Sequence, residues 1–343
     1  MLISVLLASS LFEEARAKGL ELYWVDVEGG AATLIVTPVG ESVLIDTGMP
    51  GGRDAKRILK VAAEAGLRRI DHLVTTHFHI DHFGGASEVA AELPIGTIYD
   101  NGIPEKNPDN PADSSGSFDR SIRPYREIRA QRRVVLEAGA TIPLNQTTGE
   151  VVSIRCVAAM QKTSPGGTVG GGDQNAECAS GQERARDNSD NANSLVLLLK
   201  YGAFDLFDGG DLTWNTEGKL VCPKNLVGQV DVYDVNHHGL DVSNNPLLLH
   251  ALAPTVAIMS NGTSKGCGAE TFAALKDTRS IETIYQIHRN LRPDSENNTA
   301  PEFIANMEKD CAANYIKITV AEDSKTYTVS IPGTKHSRVF KSR

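Results

Sequence analysis

The chain lacks any apolar run long enough to cross a bilayer as a helix, which takes about 20 residues. Its most apolar terminal stretch, Leu2 to Phe12, is too short. It also lacks a C-x-x-C pair: Cys156, Cys178, Cys222, Cys267 and Cys311 are widely spread, which argues against a zinc knuckle or a thioredoxin-like motif. Positive charge is not in excess, since the formal net charge is -9 and the pI about 5.5. A general affinity for nucleic-acid backbones rests on clustered Lys and Arg, so no strong nucleic-acid-binding surface is expected. The basic tail Lys335 to Arg343 reads as a frayed, solvated end. No internal repeat and no domain linker interrupts the chain, and one domain is expected over residues 18–343.

What is present begins with a core. Of 343 residues, 41% are hydrophobic, enough for a large buried interior. At the N-terminus, Leu2 to Phe12 followed by Ala15-Arg16-Ala17 makes residues 1–17 a candidate signal peptide, cleaved before Lys18. No basic residue precedes the run, and Glu13-Glu14 is an unusual flank. Periplasmic or secreted placement is the expectation, with the cytoplasm as the alternative. In an exported chain one or two disulfides follow, with Cys267 to Cys311 the first pairing to test; in the cytosol all five would be thiols.

Short β-branched runs open the chain: Leu20 to Val27, Ala32 to Thr37 and Ser42 to Asp46, punctuated by Gly29-Gly30 and Pro38-Val39-Gly40. Arg53 to Ala65 carries apolar residues at helical spacing, and a strand from Ile70 to Thr75 runs into a histidine cluster. This order suits a layered α/β protein, in which ligands collect at strand ends. Further on, Asn101 to Ser117 reads as a loop, Phe118 to Ala138 as a helix and Val151 to Ala158 as a strand. Gln161 to Asp190 is a Gly- and Asp-rich insert, either disordered or a lid. Strands resume at Ser194 to Lys200, Phe204 to Phe207, Val230 to Val235, Thr255 to Ser260 and Glu282 to Tyr285, with helices at Pro246 to Ala251 and Ala269 to Lys276. A hairpin at Tyr315 to Val320 and Thr326 to Ile331 closes the chain.

Five of the nine histidines fall in two segments, His77, His79 and His82, then His237 and His238. Imidazole and carboxylate are the usual ligands of zinc and similar cations. In an extended stretch His77 and His79 point to one side and can share an ion. Asp81 and His82, at the turn into a helix, can reach a second ion, and Gly84-Gly85 lets that turn pack closely. Two ions need a bridging carboxylate, which Asp208-Gly209-Gly210-Asp211 offers; Asp211 is the first choice and Asp208 the alternate. Asn236-His237-His238-Gly239 offers further imidazole. Other residues read as structural: His72 ahead of a strand, His250 packed in an apolar helix, and Ser243 fixing its loop outside any G-x-S-x-G context. His288 is a weaker candidate for the pocket wall.

The signature His77-x-His79-x-Asp81-His82, with Leu44-Ile45-Asp46-Thr47-Gly48, resembles the metallo-β-lactamase superfamily. Val25 to Ala32 (VDVEGGAA), Asn193-Ser194-Leu195-Val196-Leu197 and His237-His238-Gly239 are similar, more narrowly, to the soluble hydrolase domain of ComEC-type competence proteins. The resemblance implies an α/β fold of four layers, an αββα sandwich, with the site at one edge. It implies two divalent ions, zinc first and manganese the alternative. His77 and His79 would hold one, Asp81, His82 and His238 the other, with Asp211 bridging. Asp81 would hold the attacking water and accept its proton. His237 would be the proton donor or a substrate contact, and the roles of His237 and His238 could be exchanged. Asp46 would orient ligands from behind. The family's third histidine on the first ion has no counterpart; Asn193 stands near its place.

The resulting expectation is a metal-dependent hydrolase of a phosphodiester or related ester. The alternatives are a lactone or β-lactam amide as substrate, and a non-catalytic metal-binding protein associated with competence. A small-molecule or phosphodiester substrate is the expected partner.

Overall fold

The computed structural model describes residues 19–146, 148–164, 172, 174–293 and 296–343. The candidate signal peptide and part of the Gly- and Asp-rich insert lie outside them. The described strands form two sheets of nine. In the first, the spatial order is His336–Lys341, Thr326–Ile331, Ile316–Val320, Glu21–Trp24, Thr33–Val36, Ser42–Ile45, Ile70–Val74, Ile95–Asp100 and Ala130–Val135. In the second, Ile304–Asn306, Thr283–His288, Val256–Met259, Val232–Asp234, Phe204–Asp208, Val196–Tyr201, Val152–Ala159 and Thr141–Ile142 lie in that order, with Lys162–Thr163 paired to Val152–Ala159.

Side-chain alternation along a strand explains how these sheets stack. Leu22 and Trp24 point into a core shared with Leu197, Leu199 and Phe204 of the other sheet. Tyr23 and Val25 point outward, onto a cluster that contains Ile58 and Val61 of the helix Arg53–Glu64. On the far side, Val196 and Leu198 pack with Leu220, Leu248 and Phe272, from the helices Trp214–Val221, Pro246–Leu252 and Ala269–Asp277. The layers therefore run helix, sheet, sheet, helix, as the resemblance implied. A hydrogen bond of 2.9 Å from the Trp24 indole to Asp234 Oδ2 ties the two sheets together.

Parallel pairing places the site. Ser42–Ile45, Ile70–Val74, Ile95–Asp100 and Ala130–Val135 run parallel, as do Phe204–Asp208, Val232–Asp234, Val256–Met259 and Thr283–His288. Asp46, His77, Asp211, His237 and His238 all follow the carboxyl ends of such strands, where chain segments are free to turn toward a ligand.

Several expectations need correction. The helix expected over Phe118 to Ala138 ends early, as Ser117–Arg126, with Pro124 inside it; Ala130–Val135 then adds a parallel strand to the open side of Ile95–Asp100. The basic tail is not frayed: His336–Lys341 pairs with Thr326–Ile331, and Phe340 stacks on Tyr327 with ring centroids 5.4 Å apart. Both edge strands of the first sheet, His336–Lys341 and Ala130–Val135, carry Arg, which discourages edge-to-edge association. The disulfide joins Cys178 to Cys222. Cys267 and Cys311 are free, because Cys267 is buried against Met259 and Gln286 whereas Cys311 lies beside Asp26. His250 is exposed and pairs with Glu177 at 2.7 Å rather than packing. His72 lies within Ile70–Val74 and meets Glu41 at 2.9 Å.

Candidate metal centre

Beyond Val74 the backbone bends at His77 and is extended at His79, which has φ -86° and ψ 145° and caps the short helix Ile80–Phe83. The His77 and His79 rings come to 4.7 Å between centroids. The helical turn returns His82 to 4.1 Å from His77. A Cβ on Gly85 would lie 2.3 Å from the Thr47 carbonyl oxygen, so only glycine lets this turn seat on the Asp46 strand end. There Asp46, itself at φ 59°, accepts from the Thr76 amide at 2.8 Å and the Thr76 hydroxyl at 2.7 Å. Its Oδ2 also meets His82 Nδ1 at 2.7 Å, leaving His82 Nε2 to face the centre.

The second sheet supplies the opposing wall. Asp211 Oδ2 lies 3.2 Å from His82 Nε2, 3.3 Å from His238 Nε2, 3.4 Å from His237 Nε2 and 3.9 Å from His77 Nε2. His237 and His238 both have left-handed backbones, φ 55° and 56°. Each such residue costs about 1–3 kcal/mol and persists only where its surroundings impose it. Here the His237 amide donates to Gly210 O at 3.0 Å. On the side chains, His237 Nδ1 meets Ser243 Oγ at 3.2 Å and His238 Nδ1 meets Ser260 O at 3.1 Å. Both Nε2 atoms thereby turn inward.

Two donor groups result, His77 with His79 and Asp211, and Asp81 with His82 and His238. Their electrostatics show a demand for positive charge. Burial disfavours charge on Asp81 and Asp211, yet neighbouring histidines hold both carboxyls well below the ordinary range. Burial likewise disfavours a charged His82, but Asp211, Asp46 and Asp81 outweigh it and raise that ring well above the usual value. Burial and the neighbouring His82 drive His77 the other way. Its Nε2 is buried with no hydrogen-bond partner among the described residues, and an orphaned imidazole nitrogen beside a carboxylate is what a cation ligand looks like. His79 Nε2 meets Asp109 Oδ2 at 2.8 Å, which leaves Nδ1 for a ligand. These residues fit a pair of divalent cations.

All the expected ligands therefore converge, and Asp211 stands between the two groups. Asp208 does not: its Oδ1 accepts from the Gly210 amide at 2.9 Å, and burial pushes its carboxyl up to about 7. Asn193 is turned away, donating to Asp190 Oδ1 at 3.1 Å; it is Asn191 whose amide nitrogen comes within 3.4 Å of His237 Nε2. His288 lies off the pocket wall, fully buried and 2.6 Å from Asp26 Oδ1. Sequence reasoning missed Asp109, Asn191 and Lys265. Asp109 lies in a polar loop and Asn191 in the single helical turn Asp190–Asn193, neither with a readable pattern. Lys265, which pairs with Asp81 Oδ2, follows the parallel strand Val256–Met259, and that position could have flagged it. The part of the insert after Cys178 lines a cavity of about 530 Å³ with Arg184, Trp214 and Asn191, next to His237.

Imidazoles and carboxylates gathered at one edge of a four-layer sandwich are a donor set suited to divalent cations. Residues 25–160 match the family model of the Metallo-beta-lactamase superfamily. It is 27% identical over 236 residues to the competence protein ComA of Neisseria gonorrhoeae, a match covering 68% of this chain and 26% of that protein. To recombination protein 2 of Haemophilus influenzae it is 26% identical over 256 residues, 74% of this chain and 25% of that one. The chain thus spans about a quarter of the length of these relatives. Among solved structures, the CmlA beta-hydroxylase aligns over 80% of this chain and 53% of its own, with TM-score 0.44 and 15% identity.

Proposed function

We propose that the chain hydrolyses a phosphodiester or a related ester at this centre. The observation that carries the reading is the donor set: among the described residues His77, His79 and Asp211 form one group, and no third histidine belongs to it. A set poorer in imidazole suits manganese as well as zinc. When bound, a pair of divalent cations supplies a nucleophilic water at neutral pH and stabilises the entering and leaving oxygens of a displacement at phosphorus. The likeness to proteins named for competence and recombination points the same way.

The chain's own residues have distinct tasks in this reading. Asp81 positions the attacking water and accepts its proton. His237, with its ring fixed by Ser243, contacts the substrate or protonates its leaving group. Asp211 joins the two donor groups, and Asp46 orients His82 from behind. No helix among the described residues is long and apolar enough to cross a membrane, and the expected partner is a small molecule or a phosphodiester.

The test begins with elemental analysis of the purified protein. The metal-loaded chain is then offered bis-nitrophenyl phosphate, a lactone and a β-lactam. Selective turnover of the phosphodiester is expected; turnover of only the lactone or lactam would overturn the reading.

A further inference from the structure

Lys265 is an unusual lysine. Its side chain is 37% exposed, while its ammonium pairs with Asp81 Oδ2, on a residue of the second donor group. The turn that carries it is held on several sides. Gly262 N donates to Lys265 O at 2.9 Å and Leu291 N to Thr263 O at 2.8 Å. The Arg292 guanidinium donates to the carbonyls of Ser264, Gly266 and Cys267 at 3.3, 2.7 and 3.3 Å. The facing Gly29 has φ 89°, and a Cβ there would come 3.1 Å from the Lys265 Cβ, so the Gly29-Gly30 turn leaves room for this lysine against the centre. A side chain fixed at its root in this way loses less freedom on engaging a ligand.

We infer that Lys265 is a counter-ion that Asp81 releases when a cation binds, and that the freed ammonium then grips an anionic oxygen of the substrate. The argument is one of charge. A divalent cation held by Asp81, His82 and His238 takes over the carboxylate that Lys265 neutralises. The ammonium cannot remain beside a dication without like-charge repulsion, yet its turn holds it at the rim of the centre. There it meets whatever the two cations bind. A substrate that carries formal negative charge at or next to the reacting atom satisfies it, and a neutral lactone does not. The assignment thus deepens the phosphodiester reading and rests on it for the identity of the anion, while the exchange of Asp81 between lysine and cation stands by itself.

The experiment compares the parent chain with Lys265→Met and Lys265→Arg in two binding measurements and one of turnover. In titrations of metal-free protein with Mn²⁺ or Zn²⁺ against a chromophoric chelator, Lys265→Met should bind the second cation about tenfold tighter, having lost its competitor. In calorimetry of the metal-loaded protein with dimethyl phosphate, Lys265→Met should bind about tenfold more weakly, and Lys265→Arg close to the parent. These shifts of opposite sign are not what a structural lysine would give. Unchanged second-cation affinity in Lys265→Met overturns the counter-ion role, and unchanged dimethyl phosphate binding overturns the grip. Turnover is read apart from both. If both binding shifts appear but no phosphodiester is hydrolysed, the reaction proposed above fails and the role of Lys265 stands.

Discussion

Asp46 Oδ2 and His82 Nδ1 face each other at 2.7 Å at the base of the metal centre, and the same carboxylate takes both the amide and the hydroxyl of Thr76. The pair fixes the His82 ring so that Nε2 points to Asp211 and His238. Asp46→Asn keeps the shape and removes the charge. Loss of such an outer partner typically weakens metal binding about 10- to 100-fold, and that loss is expected for the second cation in chelator competition. Parent-like affinity would show that packing alone holds His82.

The two aspartates of Asp208-Gly209-Gly210-Asp211 should separate cleanly. Asp211 has four imidazole nitrogens within 3.9 Å, whereas Asp208 is bonded into its own turn. His79→Ala and Asp211→Ala are expected to lose bound metal and activity together, while Asp208→Asn keeps its metal content. Full metal in the first two variants, by elemental analysis, would refute the ligand assignment.

Much of this was readable from residue order, for a physical reason. His77, His79, Asp81 and His82 are close in sequence, so local backbone geometry settles which way they point. The nearly continuous burial of Glu21–Trp24 and Val196–Tyr201 likewise reports contact on two faces. Where long-range pairing decides, the sequence is silent. Ala130–Val135 is strand only because Ile95–Asp100 has a free side. Cys178 finds Cys222 because Ala176–Ser180 folds back over the helix Trp214–Val221. Lys265 and Asp81 are 184 residues apart in the chain, and Asp109 reaches His79 from the loop that follows the strand Ile95–Asp100.

The disulfide has its own consequence. Cys178 and Cys222 are 44 residues apart, and closing a loop of that size contributes about 2–4 kcal/mol. The Cys178→Ser/Cys222→Ser double variant should lose about that much stability in urea. Alkylation of the unreduced, denatured protein should modify three thiols, those of Cys156, Cys267 and Cys311. Five modified thiols would remove the pairing.

Glu217 offers a prediction about pH that does not involve the metal ligands. Its carboxylate is fully buried and accepts from the Asn244 and Asn245 amides at 2.8 and 2.7 Å and from the Asn236 side chain at 2.6 Å. It thereby anchors the loop that follows His237 and His238. Burial outweighs these hydrogen bonds and pushes the carboxyl up from 4.5 to about 7. Between those values the folded chain binds more protons than the unfolded one at this position, so the group's contribution to stability falls as pH rises through the window. At about 1.4 kcal/mol per pH unit the loss approaches 3 kcal/mol. Glu217→Gln removes the titration and keeps one acceptor. Urea unfolding at pH 4.5 and pH 7.5 should therefore show the variant gaining on the parent by up to about 3 kcal/mol as pH rises. A difference between the two proteins that does not change with pH would place the Glu217 carboxyl in the ordinary range and leave hydrogen bonding as its whole role.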